Sequence, residues 1–161
     1  MSRAILLVDD DENDVMFTNI ALQKAGVTSP VQVVKNGQEA LDYLSGEGKF
    51  ADRDLYPIPY LILLDLKLPF VMGLDILKWL RARPEFDGTI VLVLTSSQQP
   101  EDVRTAYRLR ANAFLVKPSG LDKLVPLVQS VKDFWLLQNQ PESAFSFSML
   151  SGSNGVLPSG H

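Results

Sequence analysis

The chain has 161 residues, 46% hydrophobic and 21% charged, enough for one packed core with a tail and far from a disordered composition. A net charge of -4 works against nonspecific binding to nucleic acid, whose phosphates reward clustered positive charge. With no cysteine and only His161, at the last position, the sequence excludes disulfides, thiolate chemistry and any triad or zinc site built on an internal histidine.

Five short apolar runs recur, at residues 4–8, 31–34, 60–64, 90–94 and 113–116. They are too short to cross a bilayer, and the N-terminus lacks the apolar core of a signal peptide, so the cytoplasm is the expected location. The central runs are continuously apolar, as parallel strands buried on both faces require. Between them lie segments with helical spacing. One follows Asp11, where Asp11, Glu12 and Asp14 suit the positive end of a helix dipole, and stops at Gly26. Others are expected over residues 38–45, over residues 74–83, and from Pro100 onward. A last helix carries Leu121, Leu124, Val128, Val131 and Trp135 on one stripe. Pro126 lies deep in that helix, where it removes a backbone donor and crowds the Asp122 carbonyl, predicting a kink or a late start.

Strict alternation of strand and helix implies an α/β, doubly wound, five-stranded parallel sheet covered on both faces, because crossovers are right-handed. Residues 1–138 form the domain. Residues 139–161 read as a tail rich in Ser and Gly, with Phe145, Phe147 and Met149 alternating as in a strand. The Gly160-His161 end can also be read as a remnant of cloning.

Ligands bind outside the C-terminal ends of the strands in such a sheet, at the point where strand order reverses. Those ends carry Asp9 and Asp10, then Lys35 and Asn36, then Asp65, Thr95 and Lys117. Three carboxylates in one crevice repel each other unless a divalent cation lies between them, and hard oxygen donors favour magnesium or a similar ion. A carboxylate is also a nucleophile toward phosphorus, and phosphoryl transfer asks chiefly for charge neutralisation, which Lys117 and Thr95 could complete. Each residue alone has a plainer reading: a helix N-terminal cluster for residues 9–12, a cap for Thr95, a solvated turn for Lys117 and core for Phe114. The weight lies in their order along four strand ends.

The set Asp9-Asp10, Asp65 in LILLDLKLP, Thr95-Ser96 in VLVLTSS and Lys117-Pro118 in LVKP resembles the response-regulator receiver family over residues 3–138. That resemblance implies a flavodoxin-like receiver fold with strand order 2-1-3-4-5, phosphorylation of Asp65, and a magnesium (Mg2+) site of Asp9, Asp10, Asp65 and the Lys67 backbone carbonyl. It further implies that Lys117 pairs with the phosphoryl oxygens, that Thr95 moves to bond them, that Phe114 is the aromatic switch, and that the Lys117-Pro118 peptide is cis. Its only catalysis would be its own phosphotransfer and autodephosphorylation. The segments GEGKFADRDLYPIPYLILLDLKLP and KDFW are similar to stand-alone regulators partnering phytochrome-type histidine kinases, a subgroup that dimerises through its last helices or a C-terminal arm. The implied partners are a sensor histidine kinase or phosphotransfer protein and a second copy of the chain, with neither DNA nor membrane as target.

Two departures stand out. Phe70, Val71 and Met72 make an apolar run beside the phosphosite, expected to pack over the third helix or to form a contact surface; with Trp135, Phe145 and Phe147 they are the candidate interface residues. Arg110 stands where the family commonly has glycine, so a strained helix end is expected. An aspartate-nucleophile phosphatase of the haloacid dehalogenase type is the main rival, since Asp9-x-Asp11, VLVLT and Lys117 imitate its motifs. It needs a further acidic pair at a strand end, whereas Asp122 and Asp133 fall in a helix, and it leaves Asp65 unused. A binding-only receiver and a flavodoxin fit less well.

Overall fold

A computed structural model describes residues 3–138; Phe145 and Phe147 lie outside them. The five apolar runs form β1 (Ala4–Val8), β2 (Val31–Val34), β3 (Pro59–Leu64), β4 (Ile90–Thr95) and β5 (Ala113–Val116). All pair in parallel, in the order β2-β1-β3-β4-β5. Alternate residues of each strand serve opposite faces. Leu6, Val8, Ile62, Leu64, Val91 and Val93 point into one core. Ile5, Leu7, Leu61, Leu63, Ile90 and Leu92 point into the other.

The helices α1 (Glu12–Lys24) and α5 (Leu121–Val131) cover the second face through Ala21, Leu22, Leu124, Val128 and Val131. On the first face, α2 (Gly37–Ser45), α3 (Gly73–Arg81) and α4 (Pro100–Arg108) contribute Ala40, Tyr43, Leu44, Ile76, Leu77, Leu80 and Ala106. Local chemistry sets the ends. Asp11 caps α1 by accepting from the backbone N–H groups of Asn13 and Asp14 at 2.9 and 3.0 Å. Asn36 caps α2 through the Glu39 N–H at 2.8 Å, and left-handed Gly46 closes it. The long connection from α2 to β3 is held by Arg53, whose guanidinium donates to the carbonyls of Tyr43, Leu44 and Tyr56, over a cluster of Tyr43, Phe50 and Tyr56 rings. Burial pushes the Tyr43 hydroxyl up to about 12, and it donates to the Pro57 carbonyl.

Two expectations are corrected. The last helix does not start late at Pro126: the Gly120 carbonyl accepts from the N–H groups of Lys123 and Leu124, so the first turn closes before the proline is reached. The helix runs through Pro126 to Val131 and then widens into a π-helical stretch, Lys132–Gln138. The third helix also ends earlier than expected, at Arg81, and a separate short turn follows at Pro84–Phe86. The strained end at Arg110 is present, with φ 69°. Its guanidinium donates to the Arg81 carbonyl while Arg81 Nε donates to the Arg110 carbonyl, so each arginine holds the other's backbone.

Candidate phosphoryl-accepting site

Backbone pairing brings the site together. The Asp65 N–H donates to the Val8 carbonyl, the Asp9 N–H to Val34, and the Lys117 N–H to Thr95. Each of these residues leaves its strand in register with a neighbour, so the side chains of Asp9, Asp65, Thr95 and Lys117 converge at one end of the sheet. Carboxylate oxygens of Asp9, Asp10 and Asp65 lie within 4.8 Å of one another, Asp10 exposed and the other two buried. This all-carboxylate donor set fits a hard divalent cation. The backbone N–H of Lys67, whose carbonyl is the predicted fourth ligand, donates to Asp65 Oδ1 at 3.3 Å.

Lys117 is the electrostatic centre. Its Nζ donates to Asp9 Oδ2 at 2.7 Å, Asp65 Oδ2 at 2.9 Å and Asp14 Oδ2 at 3.0 Å. Burial disfavours the ammonium, but the bonds to Asp9 and Asp65, the Asp65 charge and the bond to Asp14 outweigh it, so Lys117 is held above the usual lysine range. Burial pushes the Asp9 carboxyl up, against the opposing pull of Lys117 and of the Asp11 N–H that donates to Asp9 Oδ1. The resemblance implied a cis Lys117-Pro118 peptide; among the described residues no peptide is cis. The backbone bond to Thr95 and the three carboxylates hold the lysine in the site instead.

Thr95 Oγ1 already donates to Asp65 Oδ1 at 2.8 Å. Behind it the loop is tied by Ser97, buried, whose hydroxyl donates to Asp102 Oδ2 at 2.6 Å and accepts from the Gln99 N–H. Phe114 is half-buried against the first core, and its N–H donates to the Tyr107 hydroxyl on α4. Sequence reasoning passed over Ser97 and treated Asp14 only as a dipole carboxylate. The available signal for Asp14 was its place three residues after the helix cap Asp11, on the turn that faces the crevice.

The apolar run divides. Val71 packs against the core, as expected, but Phe70 is 87% exposed and Met72 half-exposed, which corrects the packing expectation for Phe70. Phe70 also has φ 70°, in the left-handed region that a residue with a Cβ occupies only at a cost. Phe70→Gly should therefore stabilise the fold by about 0.5–1 kcal/mol in urea unfolding, since it relieves left-handed strain and removes no burial. A loss of stability would show that the ring packs. Trp135 packs on the second core and stacks on Phe134, whose ring is largely exposed, with centroids 4.7 Å apart. Asp122 lies on α5 and Asp133 beyond it, so neither supplies the strand-end acidic pair that the phosphatase reading needs. Among the described residues, no helix is long and apolar enough to cross a membrane.

Comparison with known proteins agrees with this geometry. The family described as response regulator receiver domain matches residues 5–129. Response regulator Rcp1 of Synechocystis is 32% identical over 134 residues, covering 83% of this chain and 89% of that protein. The crystal structure of its Mn(2+)-bound form superposes with a TM-score of 0.78 at 31% identity, over 86% of this chain and 98% of the other. The phosphorylated cyanobacterial phytochrome response regulator RcpA gives a TM-score of 0.81 at 32% identity, over 88% and 99%. With the parallel 2-1-3-4-5 sheet and the acidic pocket at its switch point, these matches place the chain in the response-regulator receiver family of two-component signalling.

Proposed function

We propose that Asp65 is the phosphoryl acceptor of this receiver and that a magnesium ion bound by Asp9, Asp10, Asp65 and the Lys67 carbonyl assists the transfer. The observation that carries the reading is the set of contacts on Asp65, with Thr95 Oγ1 on one carboxylate oxygen and Lys117 Nζ on the other. A carboxylate oxygen of Asp65 attacks the phosphorus of a phosphohistidine or a small acyl phosphate. The new O–P bond replaces the bond to the donor, whose departing atom keeps the electron pair: a phosphohistidine leaves as imidazole after taking a proton, and an acyl phosphate leaves as the carboxylate. Thr95 and Lys117 donate to the phosphoryl oxygens as charge builds on them. A cation held by Asp9, Asp10 and Asp65 would supply further charge neutralisation to the transferring group.

The donor would be a sensor histidine kinase, of the phytochrome type by likeness to RcpA, or a phosphotransfer protein. Exposed Phe70 and Met72, a few residues from Asp65, offer such a partner an apolar contact. A homodimer through the last helix or the C-terminal arm completes the reading, supported by the exposed Phe134 ring stacked on Trp135. Incubation with labelled acetyl phosphate and magnesium should give an acid-labile label in the wild type and none in Asp65→Asn. Equal label in both would sink the assignment.

A further inference from the structure

Lys117 has three N–H donors, and all three are engaged by carboxylates. Two of these partners have other duties in the reading above, on which the present inference rests. The Asp65 carboxylate gives up its own charge when its oxygen becomes an acyl phosphate, and the charge moves outward onto the phosphoryl oxygens. Asp9 belongs to the group of carboxylates suited to a divalent cation and is no dedicated acceptor for the lysine. Asp14 has neither duty: it lies outside that group, on the first turn of α1, with its side chain about two-fifths exposed and one oxygen 3.0 Å from Nζ.

We infer that Asp14 is a positioning residue for phosphoryl transfer, anchoring the Lys117 ammonium over Asp65 after Asp65 and Asp9 have been claimed by the reaction. Lysine is a flexible point charge on a four-carbon stem, and one fixed acceptor confines it to the arc facing the incoming phosphoryl oxygens. The fixed acceptor is itself fixed. The Asp14 N–H is held by the Asp11 cap, and the Asp11 N–H is held by Asp9 Oδ1, so a single chain of bonds sets the anchor against the site. A lysine without Asp14 would spend more of its time turned toward solvent.

The test uses the full chain with magnesium and acetyl phosphate, comparing wild type, Asp14→Ala, Asp14→Asn and Glu12→Gln. Glu12 is the control: an exposed carboxylate on the same helix turn, paired with Lys35 at 3.4 Å and not with Lys117. At saturating magnesium and donor, the maximal labelling rate should fall on the order of tenfold in Asp14→Ala, the worth of one charge-assisted bond. Asp14→Asn, which keeps an acceptor oxygen, should recover about half of that loss on a logarithmic scale, and Glu12→Gln should stay within about twofold. Independent of turnover, the 1H–15N signal of the Lys117 ammonium in magnesium-loaded protein should be protected in wild type and exchange faster in Asp14→Ala. A wild-type rate in Asp14→Ala, an equal loss in Glu12→Gln, or an unchanged ammonium signal overturns the inference. Failure of Asp65 as acceptor would appear separately, as label retained in Asp65→Asn.

Discussion

Lys117→Ala should destabilise the metal-free protein at neutral pH by about 3 kcal/mol, and magnesium should recover most of that loss. The Lys117 side chain is 11% exposed, against 2% for Asp9 and 10% for Asp65, so water cannot replace the ammonium fully. Removing it leaves Asp9, Asp10 and Asp65 with oxygens within 4.8 Å and no cation between them. The pH dependence follows from the two shifted groups. A lysine held above its usual value of 10.5 contributes stability that is complete below that value and is lost as pH rises through its folded-state pKa, so at pH 7 the whole contribution is at stake. Asp9, raised above 3.8 by burial, favours its neutral form; it contributes stability below that value and loses it as pH rises through the folded pKa. Without the opposing Lys117 bond that effect grows. The gap between wild type and Lys117→Ala should therefore narrow as the solution is acidified and widen again toward neutrality. Urea unfolding at mildly acidic and neutral pH, with and without magnesium, checks this. A gap indifferent to both pH and metal would show that Lys117 acts only through its packing.

Most of this site is legible in the sequence because it lies where backbone periodicity ends. An apolar run followed by Asp9, Asp65, Thr95 or Lys117 marks a strand terminus, and a doubly wound sheet collects such termini on one edge. The core is legible for the same reason, since alternate residues of the runs serve two opposite faces. What escapes is set by single dihedrals and long side-chain reach. Nothing in the letters around Phe70 distinguishes an inward from an outward ring or foretells its φ of 70°; Val71 takes the inward place. Asp14 reads as one of several acids at a helix N-terminus until Lys117, over a hundred positions away, is seen to reach it. Pro126 reads as a breaker, but the first turn closes on Gly120 without it.

The loop that carries Phe70 depends on a residue with no side chain. Gly73 opens α3 directly against Asp65 and Leu66, with its N–H donating to the Leu66 carbonyl at 3.0 Å. A Cβ there would collide with the Asp65 carbonyl oxygen and lie 2.7 Å from Leu66 Cα, both backbone atoms that cannot rotate away. Gly37 faces the other side of the same loop, where a Cβ would collide with Val71. The two glycines let α2 and α3 close on residues 65–73 from both flanks. Gly73→Ala should therefore cost about 3 kcal/mol in urea unfolding, at the upper end for an overpacked core, whereas Gly88→Ala, which meets nothing within 4 Å, should stay within about 0.5 kcal/mol. The displaced backbone belongs to Asp65 itself, so the molecules that remain folded should also take label from acetyl phosphate more slowly. Displacing Asp65 by even a fraction of an ångström disturbs its bonds to Thr95 and Lys117 together. If Gly73→Ala unfolds like Gly88→Ala and labels at the wild-type rate, the contact between helix α3 and the Asp65 backbone is looser than these distances require.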